Sequence, residues 1–191
     1  MTSPRSDVIA GVFVGGRGIR FGGVPKGLLV APDGGTLLDR WCAVLREASV
    51  QVVLVGRHEA YASLDLETLD DDPAGIGPLG GLVALLKRAA RTHGGQALAL
   101  ACDMPFVSTA LVGRLIAAPP AVVVAPRRDG HWEPLCARYD AIRVLPHALA
   151  RVTTGRHKLQ PLLDEVGALA LRAEPADARE LHDWDDPGDA S

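Results

Sequence analysis

The 191-residue chain has no apolar run near the roughly twenty residues needed to cross a bilayer. It has no basic excess either: 20 Lys and Arg against 23 Asp and Glu leave a formal net charge of −3. A nonspecific nucleic-acid binder would be basic, so neither nucleic acid nor membrane is an expected partner. Cysteine is scarce, and Cys42, Cys102 and Cys136 lie far apart with no CxxC spacing. That usage suits buried thiols in a reducing cytoplasm better than disulfides or zinc. The histidines show no ligand spacing, and no Ser-His-Asp or Cys-His pattern is present. Behind the opening residues MTSPRSD stands only a strand-length apolar stretch, not a signal-peptide core, so a cytoplasmic location is expected. Without repeats or low-complexity segments, the chain reads as one domain over residues 1–187 with a flexible tail at 188–191.

What is present is a glycine loop. The apolar run Val8–Val14 stops at Gly15-Gly16, and Arg17, Arg20 and Lys26 follow among further glycines. Glycine lacks Cβ and tolerates φ > 0, so the backbone can come close to an anion. Exposed N–H groups beside three cations make a cradle for a polyphosphate; a plain tight turn is the simpler alternative. The P-loop pattern is absent, because Lys26 is followed by Gly27 and no hydroxyl is placed for magnesium. The dinucleotide fingerprint also fails, its third glycine coming late at Gly22.

Hydrophobic spacing predicts helices over 37–48 (capped by Thr36), 82–91, 109–117 (capped by Ser108), 141–151 and 159–166. Strands are predicted at 8–14, 51–55, 66–69, 97–101, 121–125, 135–138 and 168–172. This alternation defines an α/β chain, expected as a Rossmann-like three-layer sandwich with a mostly parallel sheet. In such sheets ligands sit beyond the carboxyl ends of the strands. The loops at Gly15, Asp70 and Asp103 all follow predicted strands. A carboxylate at the position of Asp103 can hold Mg²⁺ against substrate phosphates, or merely cap the next helix.

Residues 13–29, FVGGRGIRFGGVPKGLL, resemble the signature L-A-G-G-x-x-x-R-M-G-x-x-K-x-L of MobA-like nucleotidyltransferases, with Phe13-Val14 in place of Leu-Ala. Cys102-Asp103-Met104-Pro105 resembles the family's C-D-x-P motif. Gly77-Pro78-Leu79-Gly80-Gly81 resembles its segment against the nucleobase, and Asp183-Trp184-Asp185-Asp186-Pro187 its N-x-N/D-T-P closing motif. The resemblance implies GMP transfer from GTP to molybdopterin with Mg²⁺, and molybdoenzymes or their chaperones as further partners of a monomer or weak oligomer. It implies catalytic roles for Arg20, Lys26 and Asp103 and metal ligation by Asp103 and Asp185. Nucleotide contacts are implied for Phe13, Val14, Gly15, Gly16, Arg17, Lys26, Asp70, Gly77, Pro78 and Asp103, and a one-residue gap would put Asp71 where Asp70 is counted. The family's base-reading Asn is matched by Leu54, so that contact is either missing or supplied by backbone. Pro134-Leu135 and Gly155-Arg156-His157-Lys158 fall on the acceptor side, where the latter segment faces an anionic second substrate or is a solvated helix start. A CTP-using or sugar-phosphate relative, or a degenerate nucleotide-binding or chaperone member, would share these motifs.

Overall fold

The glycine-terminated apolar run becomes β1 (Arg5–Phe13), the third of seven strands in one sheet. The computed structural model describes residues 5–15 and 24–184. Its other strands are β2 (Val50–Val55), β3 (Thr68–Leu69), β4 (Gln96–Ala101), β5 (Val123–Ala125), β6 (Arg127–Arg128), β7 (His131–Trp132), β8 (Cys136–Asp140) and β9 (Leu169–Ala170). The sheet runs β3-β2-β1-β4-β8-β5-β9, while β6 and β7 form a separate hairpin. All pairs in the sheet are parallel except those of β8, which is antiparallel to both β4 and β5. The expected three-layer α/β architecture with a mostly parallel sheet is therefore present.

Alternation along β1 divides the core. Ile9 and Phe13 face one layer with α2 (Pro78–Ala89), α4 (Ala141–Thr153) and α5 (Leu159–Glu165). Val8, Ala10, Val12 and Val14 face the other, with α1 (Leu37–Glu47) and α3 (Thr109–Ala117). A period of two on a strand buried on both faces explains why the run reads as continuously apolar. Thr36 caps α1 in a reciprocal box with Asp39, and the Ser108 side chain accepts from the N–H of Leu111 at the start of α3, as their positions predicted.

The helix expected from Leu82 begins four residues earlier. Gly77, at φ +73°, is the cap, Pro78 holds the first turn, and Gly80 and Gly81 are helical. A Cβ on Gly81 would stand 2.7 Å from Val55 Cγ1 and 2.9 Å from Phe13 Cε1, so glycine is what lets the first turn of α2 lie on the sheet. Each helical glycine costs about 1 kcal/mol relative to alanine. Burying Leu82, Leu85 and Leu86, all fully inaccessible, returns about 1.5–3 kcal/mol apiece, so burial decides the matter.

Three further features go beyond the sequence reading: the β6–β7 hairpin, the short α6 (Asp177–Glu180) and the antiparallel sense of β8. Among the described residues no helix is long and apolar enough to cross a membrane, and all three cysteines are free thiols.

Candidate active site

The carboxyl ends of β2, β1 and β4 are tied at one level. Val14 donates its N–H to Val55 O (3.0 Å), and Cys102 donates to Phe13 O (3.2 Å). Gly15, Gly56 and Asp103 therefore emerge side by side at the sheet edge. Gly56 has φ +93°, and a Cβ there would lie 2.9 Å from Gly15 Cα, so two strands can end this close only with glycine at 56. Phe13 and Val14 bury their side chains on opposite faces of the sheet. What remains to them toward a ligand is backbone, and Phe13 O and Val14 N–H are already paired. Gly16, Arg17 and Arg20 of the glycine loop, and Asp185 of the closing motif, lie outside the described residues.

Lys26 opens a 3-10 turn, Lys26–Leu28. The N–H of Gly27 donates to the Tyr61 hydroxyl at 3.0 Å, and a Cβ on Gly27 would stand 2.8 Å from that oxygen. Burial, with a smaller contribution from Cys102, pushes the Tyr61 phenol up to about 12, so it stays a neutral acceptor for that N–H. Tyr61 was not foreseen as part of the site. It ends a 3-10 turn, Glu59–Tyr61, and is buried in the α1-side core, which its sequence neighbours do not announce. From this fixed turn the Lys26 ammonium reaches across to Asp103 Oδ2 at 2.6 Å and donates to Trp184 O at 3.1 Å. Trp184 N–H in turn donates to Asp103 O at 2.8 Å. Residues 26, 103 and 184, far apart in sequence, thus meet at one point.

The acidic loop separates into two carboxylates with different surroundings. Asp70 is held in a two-bond ion pair by Arg57 (2.7 and 3.0 Å) on the exposed surface. Asp71 lies instead against the glycines: its Oδ1 would stand 3.1 Å from a Cβ on Gly81 and 4.0 Å from one on Gly56. Burial, then the neighbouring Asp70 charge, raises its carboxyl above the usual range. Leu54, the position matched to a base-reading Asn, packs into the α1-side core and is 1% exposed, so its side chain does not reach the crevice.

On the other side of α2's N-terminus, Pro78, Pro134, Leu135, Gly155, His157 and Lys158 border a cleft of about 620 Å³. The turn at 155–158 is held by buried Arg151, which donates to Lys158 O (3.0 Å) and pairs with Glu165 (3.0 Å). Within it, His157 and Lys158 border the cleft, while Arg156 donates to Thr154 Oγ1 of its own turn (3.0 Å). The hairpin is clamped to α5 by Gln160, which accepts from Trp132 N–H (2.9 Å) and donates to Trp132 O (2.6 Å). Arg128 at its edge joins Glu133 (2.9 Å) to Asp183 (3.2 Å), next to Trp184. Burial raises the Glu133 carboxyl despite the Arg128 charge.

Among the described residues no three His, Cys, Asp or Glu side chains converge as a ready metal cluster. Asp103 nevertheless fits a hard divalent cation. It is an oxygen donor at a strand's carboxyl end, and a cation, the Lys26 ammonium, already stands on it. A lysine and a carboxylate meeting at the carboxyl ends of the strands can offset phosphate charge and hold a cation, respectively.

In open α/β sheets, a crevice beyond the carboxyl ends of the strands is where ligands bind. The fold matches that of molybdopterin-guanine dinucleotide biosynthesis protein A from Archaeoglobus fulgidus, with a TM-score of 0.74 at 24% identity over 95% of this chain and 94% of that one. Residues 10–169 match the model of the MobA-like NTP transferase domain, and the chain belongs to that family. It is 36% identical over 129 residues to the molybdenum cofactor guanylyltransferase of Acidiphilium cryptum, covering 66% of this chain and 65% of that protein. It is 35% identical over 164 residues to the probable molybdenum cofactor guanylyltransferase of Opitutus terrae, covering 84% and 79% respectively. The sequence resemblance is thereby borne out.

Proposed function

We propose that this protein, acting as one domain in a reducing cytoplasm, transfers GMP from GTP to molybdopterin. The product is a guanine dinucleotide cofactor, and pyrophosphate leaves. The observation that carries this reading is the pairing of Lys26 with Asp103 beneath a glycine-ended β1, within a family of nucleotidyltransferases whose named relatives include guanylyltransferases.

The glycine loop, with Arg17 and Arg20, receives the triphosphate, and Lys26 neutralises its oxygens. Asp103, with Asp185, would hold Mg²⁺, which when bound offsets negative charge at the α-phosphate. Asp71, from its position beside Gly81, faces the nucleotide more directly than Asp70 does. With Leu54 in the core, base recognition falls to backbone and to the Gly77-Pro78 segment. The cleft at Pro134, His157 and Lys158 receives the acceptor, with the Lys158 ammonium toward the acceptor phosphate. An acceptor phosphate oxygen attacks the α-phosphorus in line, and the bond to the leaving pyrophosphate breaks. Positioning and electrostatics suffice for this; no covalent protein intermediate is needed.

The test is turnover with purified molybdopterin, GTP and Mg²⁺, read as dinucleotide mass and released pyrophosphate. Asp103→Asn is expected to keep the fold by circular dichroism and lose about 10²–10³-fold in kcat. Undiminished turnover in that variant would remove Asp103 from the reaction, and product formed from CTP but not GTP would change the substrate.

A further inference from the structure

We infer that Lys26 is the resident counter-ion of Asp103 and exchanges places with the divalent cation: it leaves this carboxylate for a triphosphate oxygen, and only then does Asp103 accept the metal. The inference rests on the metal role proposed for Asp103 and goes beyond it, because it makes one lysine the coupling between nucleotide and cation.

The geometry is that of an occupied seat. Lys26 Nζ lies 2.6 Å from Asp103 Oδ2, and the two side chains are only 25% and 19% exposed, so water screens the pair incompletely. A divalent cation arriving at the same carboxylate would meet an ammonium within a few ångströms, and like charges that close repel. The backbone under Lys26 is fixed, since Gly27 N–H is held by Tyr61 and Leu29 N–H closes the turn onto Lys26 O (3.1 Å). The lysine stem is long and its charge is compact, so the ammonium can move while its Cα does not. Trp184 O, at 3.1 Å, is a second acceptor for the ammonium, held in place by the backbone bond from Trp184 N–H to Asp103 O.

A nucleoside triphosphate, whose oxygens Lys26 neutralises in the reading proposed above, is a stronger anion than a single carboxylate and supplies what the exchange requires. Nucleotide binding therefore frees Asp103, and by reciprocity a cation on Asp103 drives Lys26 toward phosphate. The free protein should bind the cation poorly.

Calorimetric titration of nucleotide-free protein with Mg²⁺ alone tests the exchange. Lys26→Met and Lys26→Gln should bind Mg²⁺ about tenfold more tightly than the unaltered protein. Lys26→Arg, which keeps a cation, should not, and adding Asp103→Asn to Lys26→Met should abolish the gain. If folded Lys26→Met and Lys26→Gln bind Mg²⁺ no more tightly, the exchange is overturned. Should Asp103→Asn in the same experiment still abolish magnesium-dependent GTP binding, the metal role of Asp103 survives that failure. If Asp103→Asn leaves magnesium-dependent GTP binding intact, the metal role and the exchange fall together.

Discussion

Two halves of the same sheet are drawn together by opposite means. Around β1, β2 and α2, side chains are missing: Gly11, Gly56 and Gly81 each occupy a place where a Cβ would come within 3 Å of a neighbour. Around β8, β5 and α5, side chains are long. Arg138, 6% exposed, donates to the carbonyls of Ile116 (2.9 Å), Ala118 (2.9 Å) and Pro119 (2.7 Å) and so closes the end of α3. Arg151 does the same for the start of α5, and Arg114 fastens Asp177 of α6 (2.6 Å) and Arg172 O. In the first half, missing side chains let strand ends and a helix approach one another closely. In the second half, guanidinium forks supply hydrogen bonds to the carbonyls of turns and helix ends.

The comparison breaks most easily at Arg138. Arg138→Met keeps the volume but strands three carbonyls, and should cost about 2–4 kcal/mol in urea unfolding while leaving GTP affinity unchanged. On the glycine side, Gly56→Ala meets both the positive φ and the Gly15 backbone; a loss of about 1–3 kcal/mol is expected, together with weakened GTP binding. A stability change without any effect on GTP would detach Gly56 from the nucleotide side.

The Arg114–Asp177 fastening sharpens the comparison through pH. Burial alone would raise the Asp177 carboxyl, but hydrogen bonds from Arg114 and from Glu174 N–H, with the Arg114 charge, outweigh it and hold it below its usual value. A depressed folded pKa contributes stability above the unfolded value near 3.9, and that contribution is lost as pH falls through the folded one. Asp177→Asn should therefore be less stable than the unaltered protein by about 2 kcal/mol at pH 7. The difference should shrink once the pH drops below about 4, as urea midpoints across pH 2–7 would show.

The smallest effect is expected in the acidic loop, where the two neighbours should part company. Asp71 has a raised carboxyl pKa, so its charge at pH 7 opposes folding. Asp71→Asn should raise the urea midpoint slightly and weaken GTP binding. Asp70→Asn removes only an exposed pair with Arg57 and should change neither measurably.

The same contrast explains what could be read from the sequence. An apolar run ended by glycines is a pattern, and it announced the first strand. Thr36 and Ser108 marked their helices because a cap is local. The start of α2 was displaced because Gly80 and Gly81 look like loop residues until Phe13 and Val55 are seen beneath them. The hairpin left one legible trace, Asp129-Gly130, whose φ values of +51° and +82° are those of a two-residue turn. Lone arginines leave no trace. Nothing near Arg138 says that it ends a helix twenty residues earlier, and nothing near Tyr61 says that it holds the turn of Lys26. Asp103 and Lys26 were both foreseen as site residues, but their direct pairing depends on how Trp184 closes over them.

The most direct test of the central claim is calorimetric titration with GTP and CTP, each with and without Mg²⁺. The account predicts that GTP binds at least about tenfold more tightly than CTP, and that magnesium strengthens this binding through Asp103. Tighter binding of CTP, or no binding of either nucleotide with Mg²⁺ present, would contradict it.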